Sequence, residues 1–571
     1  MAAPELRDVS NPPRTYFSVW QRLFRGYGPL AVFVLLLLLM SLLVPSKVQP
    51  KASAVSTAGG ATNKSGSTTG AKPGATTPGA TTPGATTPGA ADPNAAAADP
   101  NAAAADPNAA AGGGGAPAGV APCEGQADQV PGDPYSPPCF TFSGDNGGAT
   151  HHGVTATEIH VSFRVLNEKG FQQTLASLAG ASLQDTPETV KNTVTALAEY
   201  FNKQYQFYGR KIVIDFYDGV GSNTTELLGG GRDKAQVDAT TVESMGDFAD
   251  LSANSEPYAD ALASKDVVGF GDPYLSVKWH DDHRPYIWSI ATAGTEVANF
   301  AAEYAVKKLC GKPAAFAGGS LKGQPRKFAS FAPENSWYQE SVQVARDTQS
   351  AGGCDPGVNV QYKLDLGTMS NQATNLIAQM QSSGVTTILC GCDPIIPVFL
   401  SGAANRQGYY PEFIIVGTAL TDTDIVGQLW NQEFAKHAFG VSSLTEPLPA
   451  NQSIGYAAYK TVRQDEPAFS VDLIYYQMAQ MAAGLQMAGP NLTPETFEQG
   501  MFAYPPKLGP AGQWGYGPHD YTAADDVREI YWDPAAISKY NQKQGAFVET
   551  DHKRYTQGNI PAGDPQIPVP Q

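Results

Sequence analysis

Two histidine-bearing clusters, two glycine-rich runs and six cysteines are the groups in this 571-residue chain whose types and spacing could do chemistry. His280-Asp281-Asp282-His283 carries metal-ligand side chains. Adjacent positions on a loop diverge in direction, and the spacing is not that of a usual zinc site, so a solvated turn is expected. His151-His152 reads as a surface feature. Gly229-Gly230-Gly231 and Gly318-Gly319-Ser320 do not complete the G-x-x-x-x-G-K-[ST] run that cradles a phosphate, and both read as flexible turns. No G-x-S-x-G nucleophile elbow is present. No catalytic residue, metal or cofactor is assigned, and the chain is not read as an enzyme.

Six cysteines allow fifteen pairings. Cys123 and Cys139 flank a lead-in rich in proline and glycine, where a local bridge is expected. Cys310 and Cys354 each follow a predicted helix in the same half of the folded region, which makes them a second pair. Cys390-Gly391-Cys392 needs a tight turn to close, because an extended i, i+2 pair stands too far apart. It reads as a structural thiol pair or bridge in preference to a redox dithiol. Disulfides require an oxidising compartment.

These residues must be positioned by alternating strands and helices. Strands are expected at Glu158–Val165, 211–217, 248–251 and 267–270, each a short apolar run bounded by turn residues. Thr186 followed by Pro187 marks a helix start, and Val190, Val194, Leu197, Phe201 and Tyr205 recur at helical spacing. Further helices fall at 233–245 and 257–264. The pattern restarts with a strand at 286–290 and a helix at 296–309. It continues with a strand at 327–331 and a helix at 336–350 opened by a Ser336-x-x-Gln339 capping box. Strands at Val358–Tyr362, 386–389, 412–416 and 438–441 alternate with helices at 371–382 and 397–405. Helices at 470–487 and 494–503 and a late strand at 525–532 complete the series. Such an order implies mostly parallel sheets covered on both faces.

Ahead of this region, residues 29–45 form an uncharged apolar run, short but long enough for a membrane helix. Arg7, Arg14, Arg22 and Arg25 precede it, so residues 1–28 should stay cytoplasmic and the rest should be exported. Cleavage after Ala52-Ser53-Ala54 is the rival reading, and the apolar run lies far from that site. Residues 46–122 are Ala, Gly, Pro and Thr with GATTP and ADPNAAA repeats, a disordered linker that builds no core. As a flexible coil it spans roughly 45–50 Å. With 54 acidic against 37 basic residues and a net charge of −17, the chain lacks the basic face that nucleic acid requires.

The segments GVTATEIHVS, VVGFGDPYLS, PYIWSIATAG, KFASFAPENSWYQ and DDVREIYWDP, in that order between 153 and 555, resemble the type I periplasmic binding protein superfamily. The likeness is to its branched-chain amino acid (Leu/Ile/Val) branch, the substrate-binding proteins of ABC transporters. The family's serine-rich loop is not reproduced in GFGDPYLS. The resemblance implies an α/β fold of two Rossmann-like lobes with parallel sheets, joined by a three-strand hinge. The lead-in is placed at 123–152. Lobe 1 is expected at 153–293 plus about 442–515, lobe 2 at 294–441 plus about 516–559, and a Pro-rich tail at 560–571.

Open parallel sheets bind ligands beyond the carboxyl ends of their strands, and the resemblance puts the site there, between the lobes. It implies Gly271, Asp272, Tyr274, Ala291 and Thr292 from lobe 1, with Asn335, Trp337, Tyr338, Asp393 and Thr418 from lobe 2. The aromatics would wall the pocket, Thr292 would donate a hydroxyl, and Asp393 or Asp272 would meet an amine. The expected function is a membrane-tethered extracytoplasmic protein that captures a small polar or amphipathic solute, amino-acid-like or related. Its partners would be an ABC permease and ATPase on separate chains. An extracytoplasmic ligand sensor or envelope-interaction module on the same fold is the alternative, and an exported hydrolase a third.

Overall fold

In the computed structural model, residues 119–166, 185–418 and 420–570 are described. The expected anchor at 29–45 and the linker up to residue 118 lie outside them. Among the described residues, no helix is long and apolar enough to cross a membrane.

The lead-in forms a small antiparallel pair, β1 (Val120–Pro122) and β2 (Phe140–Phe142), closed by the Cys123–Cys139 bridge. It is sewn into the first core. Tyr135 stacks on Trp514 with ring centroids 4.2 Å apart, and its hydroxyl donates to the Gly512 carbonyl at 2.8 Å.

The first sheet is wholly parallel. Its strands are β3 (Glu158–Val165), β4 (Lys211–Asp218), β5 (Ala249–Asp250), β6 (Val268–Phe270) and β7 (Ile287–Trp288), in the order β4-β3-β5-β6-β7. Helix α1 (Pro187–Gln204) begins where expected: the Thr186 hydroxyl accepts from Thr189 N, and Thr189 Oγ1 accepts from Thr186 N. Its buried face, with Val194, Leu197 and Phe201, shares a core with helices 471–487 and 494–502, which return from far along the chain. That core also holds Tyr521 and Ala523, so it reaches past the boundary near 515.

The second sheet has seven strands: β8 (Phe328–Pro333), β9 (Val358–Tyr362), β10 (Thr387–Cys390), β11 (Glu412–Ile415), β12 (Ala438–Ser442), β15 (Asp526–Ile537) and β16 (Gln544–Thr556). The first five are parallel, and β15 and β16 add an antiparallel edge beside β12. β16 was not expected, because its polar sequence carries no strand-like apolar alternation. The short hairpin β13 (Lys507–Gly509) and β14 (Gly512–Trp514) stands apart from both sheets. The tail packs back on the second core, where Ile560 is buried and Lys312 pairs with Asp564 at 2.8 Å.

Two local expectations need correction. The helix Ser336–Ala351 is capped at Asn335 with no side-chain hydrogen bond, and Gln339 Nε2 donates to the Pro333 carbonyl, so the Ser336-x-x-Gln339 box does not form. The stretch around His280 is a helix, Val277–Asp282, started by the Ser276 hydroxyl accepting from Trp279 N at 3.0 Å. His280 is buried, so this is no solvated turn. All six cysteines are bridged, Cys310 to Cys354 and Cys390 to Cys392 among them.

Candidate functional site

The carboxyl ends of β6, β10 and β11 converge on one cavity of ≈ 80 Å³. Pro273 and Tyr274 follow β6, Gly391 follows β10, and Val416 and Thr418 follow β11. Two helices close its sides: Gly294–Tyr304 presents Val297, Ala298 and Ala301, and Ser336–Ala351 presents Trp337, Tyr338, Ser341 and Val342. Leu227, Glu226 and Glu256 complete the wall. Helix Gly294–Tyr304 starts with glycine because a Cβ there would lie 2.2 Å from the Tyr274 carbonyl oxygen.

Tyr274 holds φ 42° and Leu420 φ 63°, left-handed backbone that side chains of this size rarely adopt. Such strain gathers at functional sites. Burial, with the Asp422 charge nearby, pushes the Tyr274 phenol upward. Asp422 itself rises to about 6 through burial, while one oxygen accepts from Ser442 Oγ at 2.5 Å. Thr418 Oγ1 is buried at the cavity without a hydrogen-bond partner. A buried hydroxyl left unmade costs about 1–3 kcal/mol, which a ligand oxygen or N–H could recover.

The cavity's two carboxylates are already neutralised. Glu226 takes a forked pair of bonds from Arg164, at 3.0 and 2.8 Å, plus the Ser255 hydroxyl at 2.6 Å. Glu256 pairs with Arg232. No lysine or arginine is among the lining residues. The wall therefore offers apolar and aromatic surface with isolated hydroxyls.

Of the residues inferred from the sequence, Tyr274, Trp337, Tyr338 and Thr418 meet around the cavity. The remaining six do not line it. Asp393 accepts from Ile395 N at 2.7 Å, from Ile396 N at 3.2 Å and from the Tyr362 hydroxyl at 2.5 Å, so it caps helix Ile396–Gln407. Asp272 is joined through Oδ2 to His280 Nε2 at 3.0 Å. Burial presses the His280 imidazole down, but the Asp272 carboxylate outweighs it and holds the ring above its ordinary value. Thr292 donates to the Ala524 carbonyl at 2.9 Å, and Ser289 forms a parallel bridge with Thr522, so this stretch after β7 is tied to the segment leading into β15. Ala291 lies in the same stretch, its N–H donating to the Ser289 hydroxyl at 3.1 Å. Gly271 abuts Asn254 and Gln477, and Asn335 caps its helix.

The sequence reading missed Leu227, Ser341 and the pair Val297 and Ala301. The last two sit on an apolar helical stripe, and a stripe facing a cavity looks the same in sequence as one facing a core.

A family model described as "Periplasmic binding protein" matches residues 175–536. Among solved structures, the chain is similar to a solute-binding protein of an ABC transporter from Rhodopseudomonas palustris BisB5 in complex with 3,4-dihydroxybenzoic acid, at 12% identity over 70% of this chain and 98% of that one, TM-score 0.48. It is similar to a leucine-, isoleucine-, valine-, threonine- and alanine-binding protein from Brucella ovis, at 13% identity over 72% and 98%, TM-score 0.48. A fatty acid ABC transporter substrate-binding protein from Thermomonospora curvata matches at 15% identity over 71% and 95%, TM-score 0.47. No curated protein sequence matches the chain. The family model spans more than half of the chain and takes in most strands of both parallel sheets, and the protein belongs to the periplasmic binding protein family.

Proposed function

We propose that this protein is an extracytoplasmic solute-binding protein that captures a small amphipathic ligand between its lobes and delivers it to an ABC importer formed by other chains. Residues 29–45 hold it to the membrane, and 46–122 act as the spacer. Family membership supports capture between lobes, and three disulfides support an exported setting.

The observation that carries the ligand class is the cavity wall. Trp337, Tyr338 and Tyr274 enclose a space that is also lined by the unpaired Thr418 hydroxyl, and whose carboxylates are bound to arginine. An apolar or aromatic body with one carbonyl or hydroxyl end fits this. A multiply anionic solute or a polyol would leave its own groups unsatisfied. Ligand pockets commonly measure about 300–1,000 Å³. The present ≈ 80 Å³ therefore requires the lobes to part before a ligand enters.

A thermal-shift panel on the full-length protein tests this reading, with apolar amino acids, aromatic acids, medium-chain fatty acids and polyols. A true ligand at 100 times its Kd adds about 2.7 kcal/mol of stability. The response should appear among the amphipathic compounds and fall in Trp337→Ala and Thr418→Val. A flat response across the panel, or binding that ignores both substitutions, overturns it.

A further inference from the structure

Away from the cavity, three segments of the first lobe bring ligand-type side chains together. His160 lies in the amino-terminal half of β3, Asp215 on neighbouring β4, and Asp247 just before β5. Their donor atoms all lie within 4.8 Å of one another. His160 Nδ1 stands 2.7 Å from Asp215 Oδ2. Asp247 is 1% exposed, and its Oδ2 has no hydrogen-bond partner. Phe248 N donates to the His160 carbonyl at 2.9 Å, which fixes the Asp247 segment beside β3.

Glu158 approaches His160 Nε2 at 3.5 Å, and Lys211 is paired with Glu158 at 3.3 Å. Two aspartates with one imidazole between them form an acidic pocket, and one carboxylate oxygen in it is cut off from water. A buried carboxylate in that position is stabilised by a bound cation. One nitrogen and two oxygens are donors that suit first-row divalent metals.

We propose that His160, Asp215 and Asp247 bind a divalent transition cation of the zinc class, with its remaining positions open to water. Zinc takes imidazole nitrogen at about 2.0–2.1 Å and carboxylate oxygen at about 2.0–2.2 Å, which sets tetrahedral ligands roughly 3.4 Å apart. The observed 2.7 Å contact and the 4.8 Å limit bracket that spacing. None of the three residues lines the ligand cavity, so the site stands apart from solute capture. A cation here ties β3, β4 and the entry to β5 together at the amino-terminal end of the sheet, while His160 and Asp215 stay partly exposed for access.

The test is calorimetric titration of untagged, chelator-stripped full-length protein with zinc chloride, alongside a magnesium chloride control. One stoichiometric zinc site is expected, with magnesium silent. Asp247→Asn keeps the shape of the side chain and removes its charge, so it should fold, with an apo Tm no lower than the parent's. It should bind zinc at least about tenfold more weakly, as should His160→Ala. Absence of a stoichiometric site overturns the proposal. So does an Asp247→Asn variant that binds zinc like the parent, since the metal would then lie elsewhere.

Discussion

Gly229, just past the cavity residue Leu227, lies directly against Trp337 in the first turn of helix Ser336–Ala351. A Cβ on Gly229 would stand 3.1 Å from the Trp337 ring and 2.7 Å from Asn335 Nδ2, and the residue holds φ +87°. What reads in the sequence as a flexible Gly-Gly-Gly turn is a close approach between loops from two lobes. Gly229→Ala should therefore hold the cleft ajar. The left-handed backbone costs an alanine about 1–2 kcal/mol, and ligand affinity should fall further than stability does. Titration of the best compound from the solute panel, set beside urea unfolding of the same variant, separates the two. Unchanged affinity would show that the approach is dispensable.

Arg164 is the next point of leverage. Its side chain is 1% exposed, its guanidinium lies 3.7 Å from the centre of the Tyr258 ring, and it holds Glu226 and Asp238 at 2.8 and 3.3 Å. Removing one partner of a buried ion pair costs about 3–5 kcal/mol, because the other charge stays behind. Arg164→Met should lose stability on that scale, and the Arg164→Met/Glu226→Gln double variant should regain part of it. Urea midpoints for the three proteins check this. A single variant within 1 kcal/mol of the parent would contradict it.

A pH dependence follows from the segment between β14 and β15. Burial, with neighbouring carboxylates, pushes Asp520 up to about 7 and Asp525 up to about 9, and burial raises Glu296, which Thr522 contacts at 3.4 Å. These groups hold protons more tightly folded than unfolded. Their stabilising contribution is complete below about pH 4, the unfolded carboxylate range, and is lost as pH rises through 7 and then 9. Stability should fall between pH 5 and 9, by up to about 1.4 kcal/mol per pH decade for each proton. Asp525→Asn should flatten the profile. A stability that climbs across this window would refute the assignment.

The Cys123–Cys139 bridge closes a loop of sequence separation 16. A loop of that size contributes about 3 kcal/mol. The paired variant Cys123→Ser/Cys139→Ser should lower Tm accordingly, because the lead-in it restrains supplies Tyr135 to the first core. A Tm equal to the parent's would mean that Tyr135 docks without the bridge.

How much was legible in the sequence depended on whether the signal was local. Strand Glu158–Val165 and the Thr186-Pro187 helix start rest on periodicity and capping, and both stand at their expected places. The aromatic wall was readable because Tyr274 lies in the connection after β6, and Trp337 and Tyr338 open the helix after β8. The carboxylates were not readable in that way. Asp393 and Asp272 follow strands too, yet one caps a helix and the other binds a histidine eight residues on. Those partners are chosen by packing, which spacing does not encode. The same holds for His280, whose surroundings come from Asp272 and Ser276 acting together, and for β16, a polar segment drawn into the sheet by β15.

The two ends of the described chain are moored to different bodies. Tyr135, near the start, is wedged into the core of the first sheet, whereas Ile560 and Asp564, near the finish, are fastened to the second. Fluorophores attached close to residues 119 and 570 thus each report the position of one body. A single pair of dyes becomes a ruler for the swing between them.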